Sequence, residues 1–352
     1  MKLYRSLLLA VILAVIFVFI ALGFTGCASD TVTRSDFALD TVVTVTIYGT
    51  KDNSLLTEPF NVIKDYDSKL DAFSSDSEIG KINAAAGVSA VTVSHDTVEI
   101  IKDSLAYSKE TDGAFDISVG PLVTLWNIGD PVVKDPPSAD AVAAAQAQVD
   151  YTKVQVDEAN NTVYLTEPGM ALNLGAVAKG YISEKVKECL VKEGVTHAIV
   201  NLGGNVVLVG GKTGSEDFSV GVEDPADPDK SMVGNLTLKD KAVVTSGDYQ
   251  RYFTDSSGKR YCHILNARTG YPADNDLHQV TVVADDPFKS DALSTSLFLM
   301  GSEKAQAYVK AHSDIMVILV TTDNRVLVSN GLKDVFSFNS SASNGAYKLS
   351  YY

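Results

Sequence analysis

Asp291 and Thr295 stand four residues apart in "SDALSTSLFLMG", Ser290 to Gly301. Residues at i and i+4 share one face of a helix. A carboxylate and a hydroxyl on one face form an oxygen pair of the kind that suits a hard cation such as Mg²⁺. The alternative is an arginine or a backbone N–H on Asp291, the commoner fate of a buried carboxylate. His263, in "YCHILNARTGYP" (Tyr261 to Pro272), has a side chain that titrates near working pH and is a candidate general acid or base. Its alternative is a core imidazole bonded to a backbone carbonyl. "LNLGAVAKGY" (Leu172 to Tyr181) sets a glycine loop before a helix opening near Lys179. Free N–H groups and the dipole at a helix N-terminus attract phosphate, and a lysine adds charge. The glycines of "NLGGN" (Asn201 to Asn205) and "TSGDY" (Thr245 to Tyr249) allow either close approach to a ligand or a simple turn.

The elements that must carry these groups can be read from periodicity. Asp286-Pro287 is a start signal for the helix bearing Asp291, with Asp286 as N-cap and Pro287 at the first helical position. Leu293, Leu297 and Met300 make one apolar side, and Phe288, Ala292, Phe298 and Leu299 the other. A helix apolar all round is buried. Further helices are expected over Leu55–Phe73, His95–Glu110, Ser138–Val149, Lys179–Glu193 and Glu303–Ala311. Strands are expected at Thr41–Gly49, Val154–Val156, Val163–Leu165, Ala198–Leu202, Val206–Val209, Phe218–Val222, Leu236–Leu238, Ala242–Thr245, Tyr261–Leu265, Gln279–Val283, Ile315–Thr321 and Arg325–Val328. Asn160-Asn161 suits a hairpin turn. Helices and meander-like strands in blocks imply an α+β fold with largely antiparallel sheet.

The N-terminus reads as a targeting segment and not as fold. Lys2 and Arg5 precede an apolar run from Leu7 to Ile20, and "GFTGC" (Gly23 to Cys27) places small residues before a cysteine. This resembles a bacterial lipoprotein signal, cleaved before Cys27 with lipid on its thiol. Residues 1–26 are therefore assigned to the signal, 27–36 to a polar tether, and 37–345 to one catalytic domain on the outer face of the bacterial cytoplasmic membrane. A net charge of −15 excludes nucleic acid as a natural partner. It also excludes electrostatic adhesion to anionic lipid, so the lipid itself must hold the protein to the membrane. Beyond Cys27 only Cys189 and Cys262 remain, too few for a disulfide framework. Cys189 is expected in the core beside Tyr181, Ile182, Val186 and Leu190. His95, His197, His278 and His312 lack a catalytic setting.

The order of motifs from about Phe37 to Gly301 resembles the ApbE-type flavin transferases, the FAD:protein FMN transferase family. It comprises "LDT" (Leu39 to Thr41), "LDAFSSDSEIGKIN" (Leu70 to Asn83), "TDGAFDISVGPLVTLW" (Thr111 to Trp126), "LNLGAVAKGY", "NLGGN", "TSGDY", "HILNARTG" and "SDALST". The resemblance implies an ApbE-like α+β fold, FAD as substrate and Mg²⁺ at its pyrophosphate. It makes Asp291, Thr295 and the Ala176 carbonyl the metal ligands. Flavin and adenosine contacts fall on Leu39, Phe73, Ala114, Phe115, Asp116, Asn173, Lys179 and Ile264. His263 becomes the group that moves the proton, with Asp248 a second candidate base or a loop-former. The chain departs from the family pattern at Asn173 (often Asp), Asn266-Ala267 (often Asp-Pro), Cys262 (often polar) and "LDT" (often "MGT").

The implied reaction is Mg²⁺-dependent transfer of FMN from FAD to a Thr or Ser hydroxyl of an acceptor protein, releasing AMP. The acceptor implied is an extracytoplasmic electron-transfer flavoprotein carrying a short flavinylation motif. Two rivals use the same pocket. A Mg²⁺-dependent FAD pyrophosphatase would give FMN and AMP with water as nucleophile, and a non-catalytic lipoprotein would only present flavin.

Overall fold

The computed structural model describes residues 30–129, 134–214 and 216–352. Its frame is one nine-stranded sheet whose spatial order follows the chain: β1 (Thr31–Ala38), β2 (Thr41–Tyr48), β3 (Ala198–Leu202), β4 (Asn205–Val209), β5 (Ala242–Gly247), β6 (Leu277–Ala284), β7 (Met316–Thr321), β8 (Arg325–Val328) and β9 (Lys348–Tyr351). Every neighbouring pair is antiparallel except β8 and β9. The central β6 reads "LHQVTVVA" and is buried along nearly all of its length. A strand covered on both faces needs this near-continuous apolar run.

Eight helices accompany the sheet among the described residues: α1 (Thr57–Leu70), α2 (Glu78–Ala84), α3 (His95–Glu110), α4 (Gly120–Trp126), α5 (Ala139–Gln146), α6 (Ala178–Lys192), α7 (Pro287–Met300) and α8 (Ser302–Ala311). The α+β expectation is met. Helix α7 packs on β5 and β6 and against α6, while α6 also covers β3 and β4. The signals at Asp286-Pro287 act as read: the Asp286 carboxylate accepts the Lys289 N–H at 3.0 Å. All but a few of its residues are buried, as an all-round apolar helix requires.

Four expectations need correcting. The segment assigned to a tether enters the sheet, because Thr31–Ala38 pairs residue by residue with β2. The domain does not end at 345, since β9 adds a parallel strand beside β8. Tyr261–Leu265 is not one strand. Residues 260–262 pair with 252–254, residues 265–266 pair with 271–272, and the two hairpins part at His263. Cys189 lies at the flank of the α6 stripe and is half-buried, while Tyr181, Ile182, Val186 and Leu190 are buried. Residues 1–26 and Cys27 lie outside the described residues. No described helix is long and apolar enough to cross a membrane.

Candidate functional site

The helix α7 carboxylate meets the N-terminus of α6. Asp291 is 3% exposed, and its Oδ2 accepts the Gly180 N–H at 2.7 Å. Gly180 is required there. A Cβ would lie 2.5 Å from the Pro287 carbonyl and 2.7 Å from the Asp291 Cβ, so only glycine lets the helices approach this closely. Gly180 is the third residue of α6, where a backbone N–H has no intrahelical acceptor. Here Asp291 takes it. Ala176, half-buried, lies in the loop preceding α6. Burial pushes the Asp291 carboxyl above its usual range; the Lys179 charge, the Asn205 amide and the Gly180 N–H pull the other way. The backbone alternative for Asp291 is therefore realised, but with one aligned donor only.

Thr295 lies one turn on, half-buried. Its Oγ1 is 3.3 Å from the Ser246 Oγ, which is 2.8 Å from the Ser294 Oγ. Ser246 belongs to "TSGDY" on β5, so this motif closes the floor beneath the hydroxyl. The "NLGGN" glycines form the tight β3–β4 turn, with the Gly204 N–H held by Asn201 Oδ1 at 2.9 Å. The simple-turn alternative holds for them, and the turn delivers Asn205 to the start of β4, 2% exposed, beside Asp291. Lys179, half-buried, carries its positive charge toward both Asp291 and His263.

His263 occupies the break between the two hairpins. Its backbone N–H donates to the Arg251 carbonyl at 3.0 Å, and its Nδ1 lies 3.2 Å from the same oxygen. That bond places the proton on Nδ1 and leaves Nε2 as an acceptor. Desolvation first, then the Arg251 and Lys179 charges, push the imidazole down to about 4, with the backbone bond opposing them. It is neutral at working pH. Arg251 reaches across to the Asp40 carbonyl at 2.9 Å, in the β1–β2 turn where Leu39 and Asp40 both have φ of 54°. Leu39, half-buried, is anchored by its N–H to Asp67.

The remaining expected residues divide by exposure. Phe73 is 69% exposed in the loop after α1, a free aromatic face. Phe115 and Ile264 are buried in core clusters, so their side chains face protein; only their backbone can meet a ligand. Ala114 is half-buried. Asp116 binds its own loop, accepting from the Ser118 N–H and hydroxyl at 2.7 Å each and from the Tyr151 N–H at 3.3 Å. Burial pushes its carboxyl up. Asn173 makes a similar local turn to the Gly175 N–H. A cavity of about 600 Å³ opens beside Gly113, Asp116, Tyr151, Ala267 and Arg268. It holds none of Asp291, Thr295 and His263, and touches the expected set only through Asp116.

Asp248 points elsewhere. Its Oδ2 lies 2.8 Å from His278 Nδ1, and both border the end of β6 where the register with β7 shifts. The two face each other because the β5–β6 ladder, which pairs Gly247 with Gln279, continues one residue on, where the Asp248 N–H donates to the His278 carbonyl at 3.1 Å. His278 thus becomes the Asp248 partner, although in the sequence it has no catalytic setting. With Cys262 and Tyr261, Asp248 lines a second cavity of about 300 Å³. Asp248 and His263 are not brought into contact. Sequence reasoning also missed Gly180, Asn205, Ser246 and Arg251, although the first three stand inside motifs already singled out. Among the described residues no group of three or more His, Cys, Asp or Glu side chains could hold a metal ion.

Within this largely antiparallel α+β fold, a helix N-terminus, a lysine, a carboxylate and a histidine thus stand about the α6–α7 contact, groups of the kinds that can meet phosphate. The chain matches the ApbE family model over residues 39–319 and belongs to that family. It is 39% identical over 286 residues to the FAD:protein FMN transferase of Klebsiella pneumoniae (strain 342), covering 81% of this chain and 88% of the relative. It is 31% identical over 320 residues to that of Treponema pallidum (strain Nichols), covering 86% and 87%. The crystal structure of the ApbE protein of Thermotoga maritima MSB8 superposes with a TM-score of 0.79 at 30% identity, over 87% of this chain and 99% of that one. The flavin transferase ApbE of Vibrio cholerae gives 0.75 at 25% identity, over 91% and 100%.

Proposed function

We propose that this member of the ApbE family is a FAD:protein FMN transferase that moves FMN from FAD, with Mg²⁺, to a Thr or Ser hydroxyl of an acceptor protein and releases AMP. The observation that carries the reading is Asp291. A carboxylate this buried, with one aligned hydrogen bond and a hydroxyl one turn away, is a fit for a hard cation. Asp291, Thr295 and the Ala176 carbonyl would hold Mg²⁺. Their oxygens, one carboxylate and two neutral, are of the kind that suits Mg²⁺. When bound, the ion supplies charge neutralisation on the pyrophosphate and on the leaving phosphate.

The chain's own groups do the rest. The α6 N-terminus and Lys179 hold the pyrophosphate by dipole and charge. Phe73 offers a flat apolar face to an aromatic ring. The cavity beside Asp116 receives one end of the dinucleotide. His263 accepts the acceptor hydroxyl's proton at Nε2, its tautomer fixed by the Arg251 carbonyl. The hydroxyl oxygen bonds to the FMN phosphorus, the pyrophosphate P–O bond breaks, and AMP leaves with that electron pair. The N-terminal segment, lipidated at Cys27, would hold the enzyme on the outer face of the cytoplasmic membrane, near an extracytoplasmic flavoprotein acceptor.

The test is to incubate the protein, beginning after Cys27, with FAD and Mg²⁺, with and without a candidate acceptor. AMP release with an acceptor mass gain matching FMN is the expected result. AMP and free FMN without acceptor would make it a pyrophosphatase instead, and intact FAD throughout would overturn catalysis.

A further inference from the structure

Asn205 is the first residue of β4 and 2% exposed, yet its Nδ2 makes no hydrogen bond of ordinary geometry. An unmade hydrogen bond on a buried amide is costly, and native structures seldom keep one without a use. The local backbone does not put the amide there by accident. The two-residue turn Gly203–Gly204, both at positive φ, fixes where β4 begins, and Asn201 locks the turn by accepting the Gly204 N–H. A Cβ on Gly203 would come within 2.5 Å of Thr41, so the turn is also wedged against β2.

The unpartnered amide lies next to the Asp291 carboxylate. Strand β4 packs against α6, and the α6 N–H of Gly180 holds Asp291 Oδ2. Asn205 lies beside the Asp291 carboxylate without being aligned to it. The Asp291 carboxylate, held at one oxygen, must turn its other oxygen to a cation while losing no support.

We propose that Asn205 is a positioning residue of the cation site, its amide kept free so that it donates to the Asp291 carboxylate when that carboxylate engages a divalent ion. This rests on the Mg²⁺-dependent reading above. Asn205 touches neither the reacting phosphorus nor the hydroxyl. Its action is to hold the Asp291 carboxylate in one orientation, so its loss acts on metal affinity before it acts on chemistry.

The pair Asn205→Val and Asn205→Thr tests it. The two side chains have one shape, suit a strand, and differ by a single hydroxyl donor. Mn²⁺ is titrated into each protein with ADP as a pyrophosphate that cannot transfer FMN, and water-proton relaxation reports entry of the ion into the protein. We expect the Val variant to need about tenfold more Mn²⁺, the scale of one hydrogen bond to a charged group, and the Thr variant to recover most of that loss. In turnover the Val variant should show a raised KM for Mg²⁺ and regain most of kcat at saturating metal. Equal Mn²⁺ titrations for wild type and the Val variant, or for Val and Thr, would overturn the inference while leaving the cation site standing. No relaxation change with the wild type would overturn the cation reading and this inference together. If the Val variant does not fold, Asn205→Ala takes its place against Thr.

Discussion

Among the described residues two carboxylates, Asp224 and Asp291, lie deep in the protein, and they are treated differently. Asp224 is 0% exposed and saturated: it accepts the Tyr347 hydroxyl at 2.7 Å, the Ser343 N–H at 2.9 Å and the Ala226 N–H at 3.0 Å. It ties the loop after strand 218–223 to the C-terminal segment. Asp291 is 3% exposed and has one aligned donor, Gly180 N–H, with an unaligned amide beside it. Burial costs both groups their hydration. Only Asp224 recovers it from the protein. A fold that can saturate one buried carboxylate has left the other short, and that shortfall leaves Asp291 able to take a ligand.

The largest expected effect separates the two by function and stability. Asp291→Ala should lower Mg²⁺-dependent turnover by about a hundredfold or more, since even residues behind a metal ligand cost 10–100-fold. Its unfolding free energy should stay within about 1 kcal/mol of wild type, because loss of one hydrogen bond is offset by removal of an under-satisfied charge. Asp224→Ala should do the reverse, losing roughly 3 kcal/mol by orphaning three donors with kcat nearly unchanged. Urea midpoints and AMP release measured on both variants decide it. An Asp291 variant that unfolds like the Asp224 variant would erase the contrast.

His263 gives the next effect and a pH signature. Removing a general base costs about a hundredfold or more in rate, so His263→Ala should lower kcat on that scale. The competent form is the neutral imidazole, present above its pKa and lost below it. In the free enzyme that pKa is pushed down to about 4. Hence kcat/KM, which reports the free enzyme, should stay level as pH falls through 6 and decline only toward the low end. Arg251→Met removes one of the charges that depress it, so the acid limb should move upward. An acid limb unmoved in that variant would place the base elsewhere, with His278 beside Asp248 as the next residue to change.

Much of this contrast was legible in the sequence, and the reasons are local. Asp291 and Thr295 could be placed because their helix announces itself by Asp286-Pro287 and an apolar surround. His95–Glu110, Ala198–Leu202 and Arg325–Val328 were bounded as found, because their periodicity is unbroken. Strand β1 was not legible: of "TVTRSDFA" only Val32 is buried, so the segment shows no alternating face and is ordered by its partner β2. Helix α4 opens on Gly-Pro and is two turns long, too short to show a period. Strand β9 is chosen by a parallel neighbour, not by its own residues. At the site, the residue types were readable but their pairings were not. Gly180 reaches Asp291 across 111 positions, and the Asp248–His278 pair depends on the β5–β6 register. Such contacts are properties of packing, and no window of sequence contains them.

The smallest effect tests whether Asp291 depends on the helix that carries it. Asp286 caps α7 through the Lys289 N–H, one turn before Asp291. Asp286→Ala should lower stability by about 1 kcal/mol, the usual worth of an N-cap, because Pro287 still pre-sets the first helical residue. The rest of α7 is pinned by burial and by the close α6 contact at Gly180, so fraying should stop before Asp291. The Mg²⁺ requirement should therefore change by less than about twofold, well under one hydrogen bond. A stability loss of this size with an unchanged Mg²⁺ titration would show that packing against α6 fixes the carboxylate. A large shift in the titration would show instead that the cap does, and the difference between Asp224 and Asp291 would then lie in how each is anchored as much as in how many donors each accepts.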